Sequence, residues 1–153
     1  MLEIEKVDHI GIRVSDKTRS IDFYEILGFK LITDIGFEKG HPIIMQHPSG
    51  VVLNLLGPSN VSEGQNILMD VTEKHPGITH VSYKVKSLAD TKAFLEKQGI
   101  PLTGEINFKD LHGIFIRDPD RNVIELDTYA GDEPNARADA TDKSIKGYGS
   151  HPE

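Results

Sequence analysis

Two short stretches of this chain decide its fold: VDHIGIRV at residues 7–14 and ITHVSYKV at residues 78–85. Polar and apolar side chains alternate in both stretches, a pattern typical of a β-strand with one buried face. His9 and His80 fall on the polar face of their strands, and the apolar residues point the other way. The two stretches therefore predict two related strands, each presenting a histidine on its polar face.

The likeness between these stretches extends to a repeat that begins near residue 7 and ends near residue 56 in its first copy. The offset between the copies is constant, because Gly28 and Gly99 are separated by the same interval as His9 and His80. Identical pairs at this offset are Val14 and Val85, Phe23 and Phe94, Leu31 and Leu102, Phe37 and Phe108, His41 and His112, Pro48 and Pro119, and Leu55 and Leu126. One register kept through so many matches indicates two copies of a single supersecondary unit.

Each copy has the pattern of a strand, a helix and three further strands. Ser15 and Ser87 are the expected helix N-caps, and Gly28 and Gly99 are the expected left-handed residues after each helix. Three runs of strand composition follow, separated by the turn sequences HPSG and DPDR. The sequence thus predicts an α+β fold made of two tandem βαβββ modules.

The composition along the chain divides it into four parts. We expect a first module over residues 1–57, a linker or lid over 58–76, a second module over 77–130 and a polar C-terminal tail over 131–153. The linker is polar apart from a short apolar run, so a plain connector and a lid over a cleft both remain open. The tail has few large apolar groups, and we expect it to be disordered or laid against a partner subunit.

Composition and charge exclude several kinds of function. The 153 residues include no cysteine, which rules out disulfides, thiolate metal ligands and a cysteine nucleophile. A formal net charge of -7 without a basic cluster argues against a nucleic-acid partner. We find no targeting segment and no run of apolar residues long enough for a membrane span, so we expect a soluble, cytoplasmic protein that binds a small-molecule substrate.

The repeat also relates Asn54 to Glu125, so that four equivalent strand positions carry His9, Asn54, His80 and Glu125. Each polar side chain alone is most simply a solvated or hydrogen-bonded strand residue. Together they are harder to explain as structural, because burying an unpaired polar group costs about 1–3 kcal/mol. Two imidazoles and one carboxylate form a common catalytic ligand set with open positions. We therefore predict one divalent metal ion, either zinc, nickel, cobalt, manganese or iron(II), bound by His9, His80 and Glu125.

The sequence resembles the vicinal oxygen chelate superfamily, also called glyoxalase/bleomycin resistance/dioxygenase proteins. The resemblance rests on HIGIRV, SIDFYEILGFKL, THVSYKV and DPDRNVIEL, and it covers nearly all of residues 5–129. It implies a curved, mainly antiparallel sheet around a central cleft. In metal-binding members, first-strand histidines and last-strand glutamates are the ligands, which by resemblance correspond to His9, His80 and Glu125.

Among these proteins the chain looks most like glyoxalase I enzymes, which use four ligands, including a glutamate from each module. Asn54 stands where they carry the first glutamate, and Arg13 stands where they bind the glutathione carboxylate. The resemblance implies a divalent-metal-dependent lyase or isomerase, with Glu125 as its single catalytic base and a substrate that chelates the metal through two oxygens. Arg13 and Asn54 are candidate substrate-binding residues, and Asn54 is also a candidate weak metal ligand.

Other activities of the superfamily remain alternatives. An extradiol-type dioxygenase would use the same ligands around non-haem iron(II), but Phe115 stands where those enzymes carry a tyrosine. A metal-free binding protein of the bleomycin-resistance type and a fosfomycin-modifying enzyme are further alternatives. His41 and His112 are candidate substrate-binding residues on the third strands. Members of the superfamily often pair, so we also expect a homodimer.

Overall fold

The computed structural model describes residues 1–61 and 64–131, so nearly all of the predicted tail lies outside the described residues. The chain forms two compact units, Met1–Glu63 and Gly64–Glu153, and the boundary between them falls inside the segment predicted as a linker or lid. The division into four sequence parts stays a prediction. Within residues 1–61 and 64–131, no helix has the length and apolar character needed to cross a membrane.

The first unit is one four-stranded sheet with a helix. Its elements are β1 (Ile10–Arg13), α1 (Lys17–Ile26), β2 (Lys30–Asp34), a 3-10 helix (Phe37–Lys39), β3 (Ile43–Gln46) and β4 (Val52–Leu56). The strand order is β1-β4-β3-β2. The first and last strands are parallel, and the other neighbours are antiparallel.

The second unit repeats this plan. Its elements are β5 (His80–Lys84), α2 (Leu88–Lys97), β6 (Gly104–Phe108), β7 (Leu111–Arg117) and β8 (Val123–Tyr129). The strand order is β5-β8-β7-β6, again with a parallel pair formed by the first and last strands. The prediction of an α+β fold with two tandem βαβββ modules is confirmed.

The strand registers reproduce the sequence repeat residue by residue. Gly11 pairs with Asn54 in the first unit, and Ser82 pairs with Glu125 in the second. The antiparallel neighbour of Asn54 is Ile44, and that of Glu125 is Phe115. Corresponding members of these pairs are separated by the constant offset of the repeat, so Asn54 and Glu125 occupy equivalent places in their sheets.

The two helices begin at equivalent positions of the repeat, because Asp16 and Ser87 are separated by its constant offset, but different residue types cap them. Ser87 is the N-cap of α2, as predicted, and its side chain accepts a hydrogen bond from the backbone N–H of Asp90. The predicted cap Ser15 is wrong, because Asp16 takes this position and accepts from the backbone N–H of Arg19 at 2.7 Å. The Ser15 hydroxyl instead accepts from the guanidinium of Arg19 at 2.9 Å. Ser15 lies one residue before the position equivalent to Ser87, and the carboxylate of Asp16 is a good acceptor at the positive end of a helix.

The ends of the helices and of β2 also have local causes. Gly28 and Gly99 have φ angles of 96° and 69°, confirming them as left-handed residues after α1 and α2. Strand β2 ends at Asp34. The Asp34 carboxylate accepts from the backbone N–H groups of Gly36 and Phe37, both at 3.3 Å, and so turns the chain into the 3-10 helix.

The segment before β5 is part of the second unit's structure. Met69 packs in an apolar cluster with Ile106, Phe115 and Val123. The neighbouring side chain of Asp70, only 6% exposed, lies 2.6 Å from Nε of Arg121, and its other oxygen lies 3.1 Å from Nη2 of Arg117. The segment is therefore fixed both by apolar burial and by a buried ion cluster.

The DPDR sequence forms the turn that leads from β7 into β8. The Asp118 carboxylate accepts from the backbone N–H groups of Asp120 and Asn122 and from the side-chain amide of Asn122. Arg121 takes a left-handed conformation with φ of 65°, which directs its guanidinium to Asp70. This motif therefore builds the turn between β7 and β8 and also holds the segment before β5 in place. Because its role is structural, the motif is a better guide to the fold than to the substrate.

We expect Asp70→Asn to lower the free energy of unfolding at neutral pH by about 3 kcal/mol, because it leaves a buried guanidinium without its counter-charge. Urea unfolding followed by circular dichroism measures this loss. Glu73→Gln makes the same chemical change at an exposed position of the same unit and should alter stability by less than about 0.5 kcal/mol. Equal effects of the two substitutions would contradict the structural role of the cluster.

The stabilisation by Asp70 should depend on pH. Burial raises the pKa of this carboxyl. The hydrogen bonds from Arg121 and Asn66 and the charge of Arg117 outweigh burial, so the pKa lies below the ordinary value of 3.8. A pKa lowered by folding gives stability that is present above the unfolded value and lost as pH falls through the folded value. The difference in stability between the native protein and Asp70→Asn should therefore shrink below pH 3.8, as urea unfolding across the acidic range would measure.

Candidate functional site

Four polar side chains share one face of the second unit's sheet. β5 and β8 are parallel neighbours, with Ser82 beside Glu125 in the register. Side chains alternate between faces along a strand, so His80 and Ser82 lie on the same side of β5, as Glu125 and Asp127 do on β8. Pairing these strands brings together residues that are 45 positions apart in the sequence.

His80 and Glu125 are in direct contact. Nε2 of His80 lies 2.9 Å from Oε2 of Glu125, and their side chains are 20% and 7% exposed. The other ring nitrogen, Nδ1, lies 2.8 Å from the Thr79 hydroxyl. The rings of His80 and Phe115 pack edge to face, with their centroids 6.1 Å apart. These contacts hold the imidazole with Nε2 directed at the carboxylate.

The Glu125 carboxyl sits in an electrostatically unfavourable place. Burial raises its pKa, and the neighbouring Asp127 raises it further, to about 7. Two carboxyl groups this close favour one proton or one cation between them over two separate charges. A buried carboxylate beside an imidazole and a second carboxylate therefore fits a divalent cation, whose charge would offset this repulsion.

Asp127 is a residue that the sequence reasoning missed. Its buried side chain accepts a short hydrogen bond from the Ser82 hydroxyl through Oδ2, whereas Oδ1 is buried without a hydrogen-bond partner. Gly113, opposite Asp127 on β7, leaves room for both carboxylates. A β-carbon at Gly113 would collide with Asp127 Oδ1 and would lie 3.2 Å from Glu125 Oε1.

The repeat contains a signal that could have identified this residue. At the offset that relates His9 to His80, Ser82 corresponds to Gly11 and Asp127 corresponds to Leu56. A polar pair in one copy thus replaces a glycine and a leucine in the other. Because sequence reasoning concentrated on positions that match between the copies, it passed over this difference.

In the first unit, His9 lies just before β1 and is partly exposed. Its Nδ1 lies 2.7 Å from the Asp8 carboxylate, and this contact lowers the pKa of Asp8. Asp8 and Thr79 are themselves equivalent by the repeat. In both copies, therefore, the residue before the histidine holds Nδ1.

The remaining candidates of the first unit lie on β1 and β4. Asn54 is half-buried beside Gly11, and Arg13 is exposed at the end of β1. The structure brings His80 and Glu125 together, whereas the ligand set of His9, His80 and Glu125 stays a prediction. Within the described part of either unit, taken by itself, no three His, Asp or Glu side chains are arranged to hold a metal ion.

The other two candidate histidines lie at other places within their own units. His41 is exposed between the 3-10 helix and β3. His112 pairs with Thr128 on β8, and its Nδ1 lies 2.6 Å from the Asn107 side-chain oxygen. Since faces alternate along β7, His112 points to the side opposite Phe115 and Glu125.

Comparisons with known proteins point to one family. The family model described as the Glyoxalase/Bleomycin resistance protein/Dioxygenase superfamily matches residues 6–126. A lactoylglutathione lyase of Schizosaccharomyces pombe is 27% identical over 150 residues, covering 86% of this chain and 50% of the relative. The chain thus spans about half the length of that relative.

Solved structures share the fold. A glyoxalase family protein from Enterococcus faecalis matches with a TM-score of 0.68 at 23% identity, covering 81% of this chain and 98% of that protein. An antibiotic binding protein from Streptomyces matches with a TM-score of 0.64 at 22% identity, covering 84% of this chain and 99% of that protein. At these identities the likeness establishes the fold alone. One fold can serve both catalysis and binding, so the fold does not decide between them.

We expect Gly113→Ala to destabilise the protein by about 1–3 kcal/mol, because the added methyl group would displace Asp127 and press on Ile106. Gly11→Ala is the matched control, since a β-carbon there would make an ordinary van der Waals contact with Leu56, at 3.6 Å. Its effect should be within about 0.5 kcal/mol. Urea unfolding measures both, and a harmless Gly113→Ala would show that the two carboxylates are not confined as described.

Proposed function

The chain belongs to the Glyoxalase/Bleomycin resistance protein/Dioxygenase superfamily, and we propose that it is a divalent-metal-dependent lyase or isomerase. Its substrate is a small molecule with two neighbouring oxygens that chelate the metal. The observation that carries the proposal is the contact of the partly buried His80 with the buried Glu125, in which Nε2 of the imidazole lies 2.9 Å from the carboxylate. The likeness to a lactoylglutathione lyase supports the reaction class.

The ligands in this proposal are His80, Glu125 and His9. Imidazole and carboxylate suit zinc, nickel, cobalt, manganese and iron(II). A ligating histidine usually has its second nitrogen held by another group, and here Thr79 and Asp8 hold Nδ1 of His80 and His9. When bound, such an ion polarises the substrate oxygens as a Lewis acid and makes the adjacent carbon more acidic.

The chain's own residues position the substrate and move the proton. Glu125 is the base, taking a proton from one carbon and returning it to its neighbour. The apolar side chains of Phe115, Val123 and Ile106 lie on the same side of the sheet and limit water around this carboxylate. Arg13 binds an anionic group of the substrate, and Asn54 contributes an amide where a second base would otherwise stand.

Phe115 favours this proposal over ring-cleaving oxygen chemistry. It lies opposite Glu125 in the β7–β8 register and is only 1% exposed. Because this residue is a phenylalanine, it offers no hydroxyl group to the carboxylate. A tyrosine is expected at this place in an extradiol-type enzyme. The isomerase or lyase proposal requires no such group.

The ligand assignment predicts the metal content of variants. After reconstitution with Zn²⁺ and removal of loose ions, His9→Ala, His80→Ala and Glu125→Gln should retain little metal by plasma mass spectrometry. Each loses a bond that a three-ligand site cannot spare. His41→Ala removes an exposed histidine, and Asn54→Ala removes no required ligand, so both should retain about as much metal as the native protein. Undiminished metal in His80→Ala would refute the assignment.

The reaction class predicts how turnover responds to oxygen. The metal-loaded protein should act on lactoylglutathione or a related oxygenated compound equally well without oxygen, because proton transfer consumes none. Turnover is followed by chromatography of the reaction mixture. Oxygen uptake with a catechol and iron(II) would instead establish a dioxygenase. Tight binding of small molecules without turnover or metal would establish a binding protein.

A further inference from the structure

The contact between Ser82 and Asp127 parallels the contact between His80 and Glu125. Both join β5 to β8 on the same face of the sheet, two residues apart along each strand. The Ser82 hydroxyl fixes Oδ2 of Asp127, which leaves Oδ1 on the side of Glu125. The four side chains thus form one connected group across two strands.

The unpaired oxygen of Asp127 favours a positive charge nearby. The residue is only 6% exposed, and Oδ1 is buried without a hydrogen-bond partner. A buried acceptor without a donor is unfavourable unless something positive is nearby. Both Asp127 Oδ1 and Glu125 Oε1 lie within 3.2 Å of one point, the place a β-carbon of Gly113 would occupy. The two negative groups therefore face the same small region.

The first unit lacks this arrangement, although it has the same fold. Gly11, Pro42 and Leu56 stand where the second unit has Ser82, Gly113 and Asp127. Strand pairing alone does not need these three polar or small residues, because the first unit forms the equivalent sheet without them. The group is thus a feature of the second unit that its sheet does not require.

We propose that Asp127 is a positioning residue of the cation site: anchored by Ser82, it places a second negative charge beside Glu125 and strengthens the binding of a divalent cation there. It acts through Glu125 and occupies no coordination position. The inference rests on the proposed function, since it takes Glu125 as a ligand of the ion.

The test is a titration of the apoprotein with Co²⁺ by calorimetry, at about pH 8 and about 0.15 M salt, where long-range charge effects are screened. Asp127→Asn keeps the shape and the acceptor for Ser82 but removes the charge. We expect its Kd for Co²⁺ to rise by about tenfold or more. The melting temperature of its apoprotein should stay the same or rise, because a repulsion has been removed. A purely structural residue would lower that temperature when replaced.

Three further variants sharpen the test. Asp110→Asn removes one charge from an exposed turn of the same unit and should bind Co²⁺ like the native protein. Ser82→Thr keeps the hydroxyl that anchors Asp127 and should bind Co²⁺ normally. Ser82→Val introduces a side chain with nearly the shape of threonine but without the hydroxyl, and should bind Co²⁺ more weakly. The absorption spectrum of bound Co²⁺ should be unchanged in Asp127→Asn, because the ligands are the same.

The outcomes separate this inference from the proposed function. If Glu125→Gln loses Co²⁺ binding and Asp127→Asn binds like the native protein, the inference is overturned and the metal site stands. A changed Co²⁺ spectrum in Asp127→Asn would also overturn it, because Asp127 would then be a ligand. If the native protein does not bind Co²⁺, or if Glu125→Gln binds normally, both proposals fail.

Discussion

The parallel pairing of the first strand with the last in each unit is the constraint on which the rest of this structure depends. It pairs residues that are 43 positions apart in both units, and in the second unit it sets His80 beside the strand that carries Glu125. A shift of one residue in this register would move Glu125 and Asp127 to the opposite face of the sheet. The register in the first unit is the same, so the copies differ in their side chains and not in their framework.

Two buried carboxylates of the second unit show how that framework serves different purposes. Asp70 contacts two arginines, and its pKa lies below the ordinary value despite burial. Glu125 contacts an imidazole and lies near another carboxylate, and burial together with Asp127 raises its pKa to about 7. The first arrangement stabilises the fold by itself. The second is unfavourable until a proton or cation joins it, which is characteristic of functional sites.

Much of the fold could be predicted from the sequence, because its main signals are local or repeated. The alternation around His80, the glycine after α2 and the constant offset of the repeat give the βαβββ plan and the equivalence of Asn54 with Glu125. What the sequence did not reveal depends on contacts between distant segments. Asp127 acquires meaning only beside Ser82 and Gly113, and Asp70 lies in a segment that composition alone describes as a linker.

The central claim is that Nε2 of His80, together with Glu125, binds a divalent cation, and nitrogen NMR of the histidine side chains during a Zn²⁺ titration tests it most directly. We predict that the Nε2 resonance of His80 shifts as Zn²⁺ is added and that Nε2 carries no proton in the bound state. In that state Nδ1 carries the proton and donates it to the Thr79 hydroxyl, which lies 2.8 Å away. Unchanged His80 signals in the presence of excess Zn²⁺ would contradict the account.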